Sequence, residues 1–79
     1  MKISNPRVKN VVPNNNFTLT ITFTNDEVKE FDVKPYLNIG IFKELKEISL
    51  FISVKPFIGS IQWMNGLDFC PDTLYLESK

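Results

Sequence analysis

Nine basic and nine acidic side chains in 79 residues leave the chain without net charge, so no one-signed field is available to draw in a nucleic-acid backbone. It has no histidine, which removes Ser-His and Cys-His nucleophile pairs and imidazole metal ligands. A content of 43% hydrophobic and 13% aromatic residues, with seven phenylalanines, argues for one folded domain over 1–79. A core of this size supports a modest stability, on the order of 3–5 kcal/mol.

Arg7 to Val12 reads as a first strand. Val8, Val11 and Val12 are β-branched, and Pro13 stops it because proline has no N–H for a ladder. Asn14-Asn15-Asn16 is turn material, since asparagine tolerates left-handed backbone angles. Phe17 to Thr24 alternates without a break. Phe17, Leu19, Ile21 and Phe23 share one face and Thr18, Thr20, Thr22 and Thr24 the other, which predicts a strand with one buried and one wet face. Asn25-Asp26 marks a two-residue turn or part of a longer loop. Glu27 to Val33 then returns as the second arm, with Phe31 and Val33 inward.

Pro35-Tyr36-Leu37 begins a single helical turn. After Gly40, the residues Ile41, Phe42, Leu45 and Ile48 fall at helical spacing, with Lys43, Glu44, Lys46 and Glu47 opposite. That pattern predicts one amphipathic helix of about two to three turns leaning on the sheet. Leu50 to Lys55 leads out of it into a strand that Pro56 limits or places at an edge. Phe57 to Ser60 turns the chain, and Ile61-Gln62-Trp63 pairs back with Ile61 and Trp63 on one face. Asn65-Gly66 supplies a turn with positive φ. Pro71 fits the first position of a short terminal helix with Asp72 in its first turn. Leu74, with Tyr75 or Leu76, docks that helix, and Glu77-Ser78-Lys79 frays. The fold class is α+β. An antiparallel sheet of about four to five short strands carries one short amphipathic helix and ends in a short C-terminal helical turn.

The stretch from Trp63 to Tyr75 concentrates what chemistry there is. Asp68 and Asp72 are the nearest approach to paired carboxylates, able with Asn65 to hold a hard cation or share a proton. Their spacing matches no metal loop, and capping a turn or a helix N-terminus is the simpler use. Cys70 stands just before the terminal helix, where a thiol is acidified, but it has no base partner, and a lone cysteine is more often a small packing residue. It cannot form an internal disulfide, which fits a reducing compartment. Trp63 with Phe57, Phe69 and Tyr75 is either an exposed aromatic platform or, the commoner case, core. No CxxC, P-loop or GxGxxG occurs. No catalytic residue, cofactor or metal is therefore expected. Met1 to Asn10 lacks the apolar run of a signal peptide, and nothing approaches the roughly 18–20 apolar residues of a membrane span. A soluble, cytoplasmic protein is expected.

The closing Ile61-Gln62-Trp63-x-Asn65-Gly66-x-Asp68-x-x-Pro71-Asp72-x-Leu74-Tyr75 carries a family resemblance. So do the strand ending at Phe23, the arm ending at Phe31-Asp32-Val33 and the helix around Phe42-Lys43-Glu44-Leu45. The chain resembles a bacterial family known as domain of unknown function 2442, over roughly its full length, from Val8 to Leu76. The resemblance implies a small α+β fold with antiparallel strands and a packed helix, and no catalytic residues. It also implies a small accessory protein encoded beside other small proteins, in a toxin–antitoxin-like or regulatory pairing. Longer relatives append a helix-turn-helix, for which this chain is too short. Two positions depart from the family pattern. Met64 stands where proline commonly follows the tryptophan, which restores a backbone N–H. Asn25-Asp26 stands where the first hairpin commonly has Asp-Gly.

The expected function is that of a non-enzymatic interaction domain, binding a protein partner or a second copy. Its surface would include Trp63, Asn65, Asp68, Asp72 and Tyr75, and its unpaired edges would lie at the first strand and the Pro56 strand. The alternative is a small-ligand or nucleic-acid binding module using the Trp63–Asp72 surface. A cryptic enzyme built on Asp68 and Asp72 or on Cys70 ranks last.

Overall fold

The structure, a computed structural model, describes residues 5–79, so the head of the N-terminal lead-in, residues 1–4, lies outside the described residues. Three antiparallel strands, β1 (Val8–Pro13), β2 (Thr18–Phe23) and β3 (Val28–Asp32), form a sheet in the order β1-β2-β3. A second, two-stranded sheet pairs β4 (Lys55–Phe57) with β5 (Ser60–Gln62). The fold is α+β with antiparallel strands, as the pattern predicts, but the strands are divided between two sheets. The smaller sheet lies beside β1, where the Val8 N–H donates to the Gly59 carbonyl at 2.9 Å.

The alternation in β2 sets the core. Leu19 lies opposite Phe31, Ile21 opposite Val11 and Phe23 opposite Val8, and Leu19, Ile21 and Phe23 are fully buried. Phe17 lies outside the strand but still packs against the core, as the stripe predicts. It precedes the strand with a φ of 63° and packs edge-on against Phe51, ring centroids 5.1 Å apart.

That φ belongs to a loop form used three times. In Asn14–Thr18, Phe23–Glu27 and Trp63–Leu67, the first residue's N–H donates to the fifth residue's carbonyl, and the fourth residue's N–H donates back to the first residue's carbonyl. Each is a three-residue loop whose last member is left-handed: Phe17 (63°), Asp26 (69°) and Gly66 (91°). Asparagine precedes the left-handed residue each time, as Asn16, Asn25 and Asn65. The Asn25 and Asn65 side-chain carbonyls each accept the N–H two residues on, at 3.1 Å. The first hairpin turn is thus one residue longer than Asn25-Asp26 alone.

The predicted two-to-three-turn helix is not a single helix. Gly40–Lys46 forms a 3₁₀ helix, Glu47 is extended (ψ 112°), and a one-turn α1 (Ile48–Phe51) follows. At three residues per turn, Phe42 and Leu45 line up on the inner side, Leu45 fully buried and Phe42 partly so. Ile41 and Ile48, which a 3.6-residue period would place inward, are exposed. Lys34–Tyr36 makes the expected single turn, also 3₁₀.

The last helix, α2 (Pro71–Glu77), begins on Pro71 and buries Leu74. Tyr75 meets Phe23 edge-on at 5.0 Å, while Leu76 is exposed. The three residues expected to fray are anchored. Glu77 accepts from Tyr36, Ser78 is buried with its hydroxyl on the Leu74 carbonyl, and Lys79 exchanges both main-chain bonds with Glu30 of β3, at 2.9 and 3.0 Å.

Candidate functional site

The corner that opens at Trp63 is a core element. Trp63 is 1% exposed, its indole N–H donates to the Phe51 carbonyl at 2.9 Å, and its ring lies 6.3 Å from Phe51 and 5.8 Å from Phe69. Trp63 therefore leaves the candidate interaction surface. Phe69 is buried too, within 4.9–5.2 Å of Phe31, Tyr36 and Phe42. The core alternative for the aromatic set holds for these two, and Phe57 is the member left outside, 43% exposed.

Of the remaining candidates, Asn65, Asp68 and Asp72 are exposed and Tyr75 is half-buried. Asn65 spends its side chain on structure, donating to Glu44 Oε1 at 3.1 Å while its oxygen accepts from Leu67. Asp68 forms an isolated antiparallel bridge with Gln62 through the main chain. Asp72 accepts from Asn5 Nδ2 at 3.3 Å. It sits in the first turn of α2, but no side chain caps that helix; the N-cap residue is Cys70. Cys70 is exposed, contrary to its expected use as a small packing residue. Among the described residues, no three His, Cys, Asp or Glu side chains are placed to hold a metal ion.

Tyr75 and Tyr36 tie α2 to the hairpin and to the 3₁₀ turn. Tyr75 donates to Glu27 Oε1 at 2.5 Å, and Lys29 Nζ lies 4.0 Å from its ring centroid. Hydrogen bonds from Tyr75 and then Asn25 hold the Glu27 carboxyl below its usual range, and the same Glu27 contact raises Tyr75. Tyr36 donates to Glu77 Oε1 at 2.5 Å; that bond, and then burial, pushes its hydroxyl up to about 12. An unfolded tyrosine ionises near pH 10. The fold thus favours the neutral phenol, and this contribution is complete below about pH 10 and lost as pH climbs through about 12. Tyr36→Phe is expected to flatten the alkaline fall in Tm, followed by circular dichroism between about pH 9 and 12. Tyr75, raised in the same sense, should preserve part of the slope. An unchanged slope in the variant would show that Tyr36 ionises alike in both states.

A cleft of about 270 Å³ opens where the hairpin meets the chain's last residues, lined by Asn16, Thr18, Glu30, Asp32, Lys34, Glu77 and Lys79. Its wall mixes three carboxylates with two ammonium groups, unlike the mostly apolar lining of a small-molecule pocket. Asp32 already pairs with Lys34 at 3.1 Å; desolvation pushes its carboxyl up, but the hydrogen bonds and charge of Lys34, with the charge of Lys79, together leave it below its usual range.

Sequence reasoning passed over Ile58. The hairpin between β4 and β5 has only two loop residues, Ile58 (φ 47°) and Gly59 (φ 77°). Both being left-handed makes it a type I′ turn, which favours Asn-Gly. Ile58 is 85% exposed. A signal was present, since a β-branched residue stands directly before the glycine of a short Phe-Ile-Gly-Ser turn.

A family model described as a protein of unknown function, DUF2442, matches residues 8–79. The chain belongs to the DUF2442 family. The match runs from the first residue of β1 past the end of α2, so both sheets and all the short helices are DUF2442 elements. No curated protein and no solved structure matches the chain. Among the described residues, no helix of this DUF2442 member is long and apolar enough to cross a membrane.

Proposed function

We propose that the chain is a non-enzymatic protein-interaction domain whose contact is centred on the tip of the β4–β5 hairpin. The observation that carries this is Ile58. A left-handed conformation costs a non-glycine residue about 1–2 kcal/mol, and a β-branched residue there is an outlier. With 85% of its surface open to solvent, Ile58 gains little packing from the described residues to offset that cost. Strain without internal compensation points to a contact outside the chain. Phe57 stands beside it, 43% exposed, and the Arg7 side chain flanks Gly59, 3.3 Å from where a β-carbon would sit. An apolar tip with a cation at its rim suits an apolar pocket on another protein. The partner envisaged is a small protein encoded alongside, in a bacterial cytoplasm, in a toxin–antitoxin-like or regulatory pairing; the single cysteine agrees with a reducing compartment.

Ile58→Asn provides the test, because it restores the Asn-Gly pair preferred by the turn. In isolation the variant is expected to be more stable by about 1 kcal/mol, raising Tm by about 4–8 °C. Association should weaken at least tenfold. The measurements are thermal melts, light scattering across a concentration series, and co-purification with the product of the adjacent gene. A wild-type protein that stays monomeric and captures nothing, or a variant that binds as well as the wild type, would sink the proposal.

A further inference from the structure

We infer that Asn65 is a deamidation site held in check by the fold, with Glu44 as the group that holds it. In an Asn-Gly pair the glycine nitrogen has no side chain to shield it. Its N–H is lost to solvent base, the nitrogen bonds to Asn65 Cγ, and the side-chain nitrogen departs as ammonia. Water then opens the succinimide ring to aspartate or isoaspartate. Overall one water is consumed and one ammonia released, the amide NH2 group being replaced by a hydroxyl, with no oxidant or reductant.

Each group in that step is engaged in the native loop. The Gly66 N–H donates to the Trp63 carbonyl at 2.9 Å, which keeps the nucleophile protonated. Asn65 Oδ1 accepts from the Leu67 N–H at 3.1 Å, and Nδ2 donates to Glu44 Oε1 at 3.1 Å. Cγ cannot turn toward the Gly66 nitrogen without breaking the last two bonds. The loop also adjoins the buried Trp63, so its opening is coupled to the core. Asn25, in the equivalent place of the first hairpin, is followed by Asp26 and lacks an unshielded glycine nitrogen. The product would set a new carboxylate against Glu44. A donor is lost, two like charges face each other, and the 3₁₀ helix bearing Glu44 loses its hydrogen bond to Asn65.

Incubation of the full chain at mildly alkaline pH, native and in urea, with mass spectrometry and isoaspartate detection on the peptide spanning Asn65, tests this. The unfolded chain should deamidate there at least about tenfold faster than the native one. Glu44→Ala should accelerate the native reaction several-fold with no change in urea. Glu44 is exposed, so little change in Tm should accompany it. Glu44→Gln, which retains an acceptor oxygen, should stay close to the wild type. Equal native and unfolded rates, no reaction in urea, or a Glu44→Ala rate equal to the wild type in the native state would each overturn the inference.

Discussion

Trp63→Ala is expected to leave little folded protein at room temperature. Truncating a buried tryptophan costs about 3–5 kcal/mol, which matches the roughly 3–5 kcal/mol available to a core of this size. Two effects combine. The indole fills the space between Phe51 and Phe69, and its N–H satisfies the Phe51 carbonyl, whose other donor, the Val54 N–H, is a long 3.4 Å away. Trp63→Phe separates them. It keeps a ring but leaves that carbonyl short of a partner, at a cost of about 1–3 kcal/mol. Circular dichroism melts should therefore rank wild type above Trp63→Phe and Trp63→Phe above Trp63→Ala. If the alanine variant melted within a few degrees of the wild type, the corner would not be part of the core.

Phe69→Ala carries the second large effect, again about 3–5 kcal/mol. Its ring touches side chains from four places in the chain: Phe31 on β3, Tyr36 in the first 3₁₀ turn, Phe42 in the second, and Trp63 after β5. Edge-to-face pairs add about 0.5–1.5 kcal/mol each beyond burial, so Phe69→Leu should also destabilise despite retaining most of the volume. Urea titrations should show a lower midpoint with an unchanged slope, the mark of a stability loss without a new unfolded state. A larger loss from the exposed Phe57→Ala than from Phe69→Ala would reverse the assignment of which aromatic residues form the core.

Strict alternation from Leu19 to Phe23 made the central strand legible, as did Pro71 for the last helix and Asn65-Gly66 for the closing turn. Each is a local rule that nothing elsewhere in the fold opposes. The segment from Gly40 to Phe51 was misread because Phe42 and Leu45 are three apart, a spacing common to α and 3₁₀ helices, and nothing in the sequence announces that Glu47 is extended. The anchoring of Lys79 rests on main-chain bonds, which leave no side-chain pattern to read. Asn65, Asp68 and Asp72 are exposed, and Trp63, which the sequence left as either core or exposed platform, is core. Which of the two holds depends on the partners the fold brings to the indole, here Phe51 and Phe69. Ile58 escaped notice because strain has no periodicity.

The pairing of Lys79 with Glu30 bears on how another chain could approach. The middle of the outer rim of β3 is already spoken for by this chain's own backbone. An incoming strand would have to evict that residue before docking there, so the two are rivals for one set of donors and acceptors. At the hairpin tip Val8 takes the Gly59 carbonyl, but the Ile58 side chain stays open to solvent.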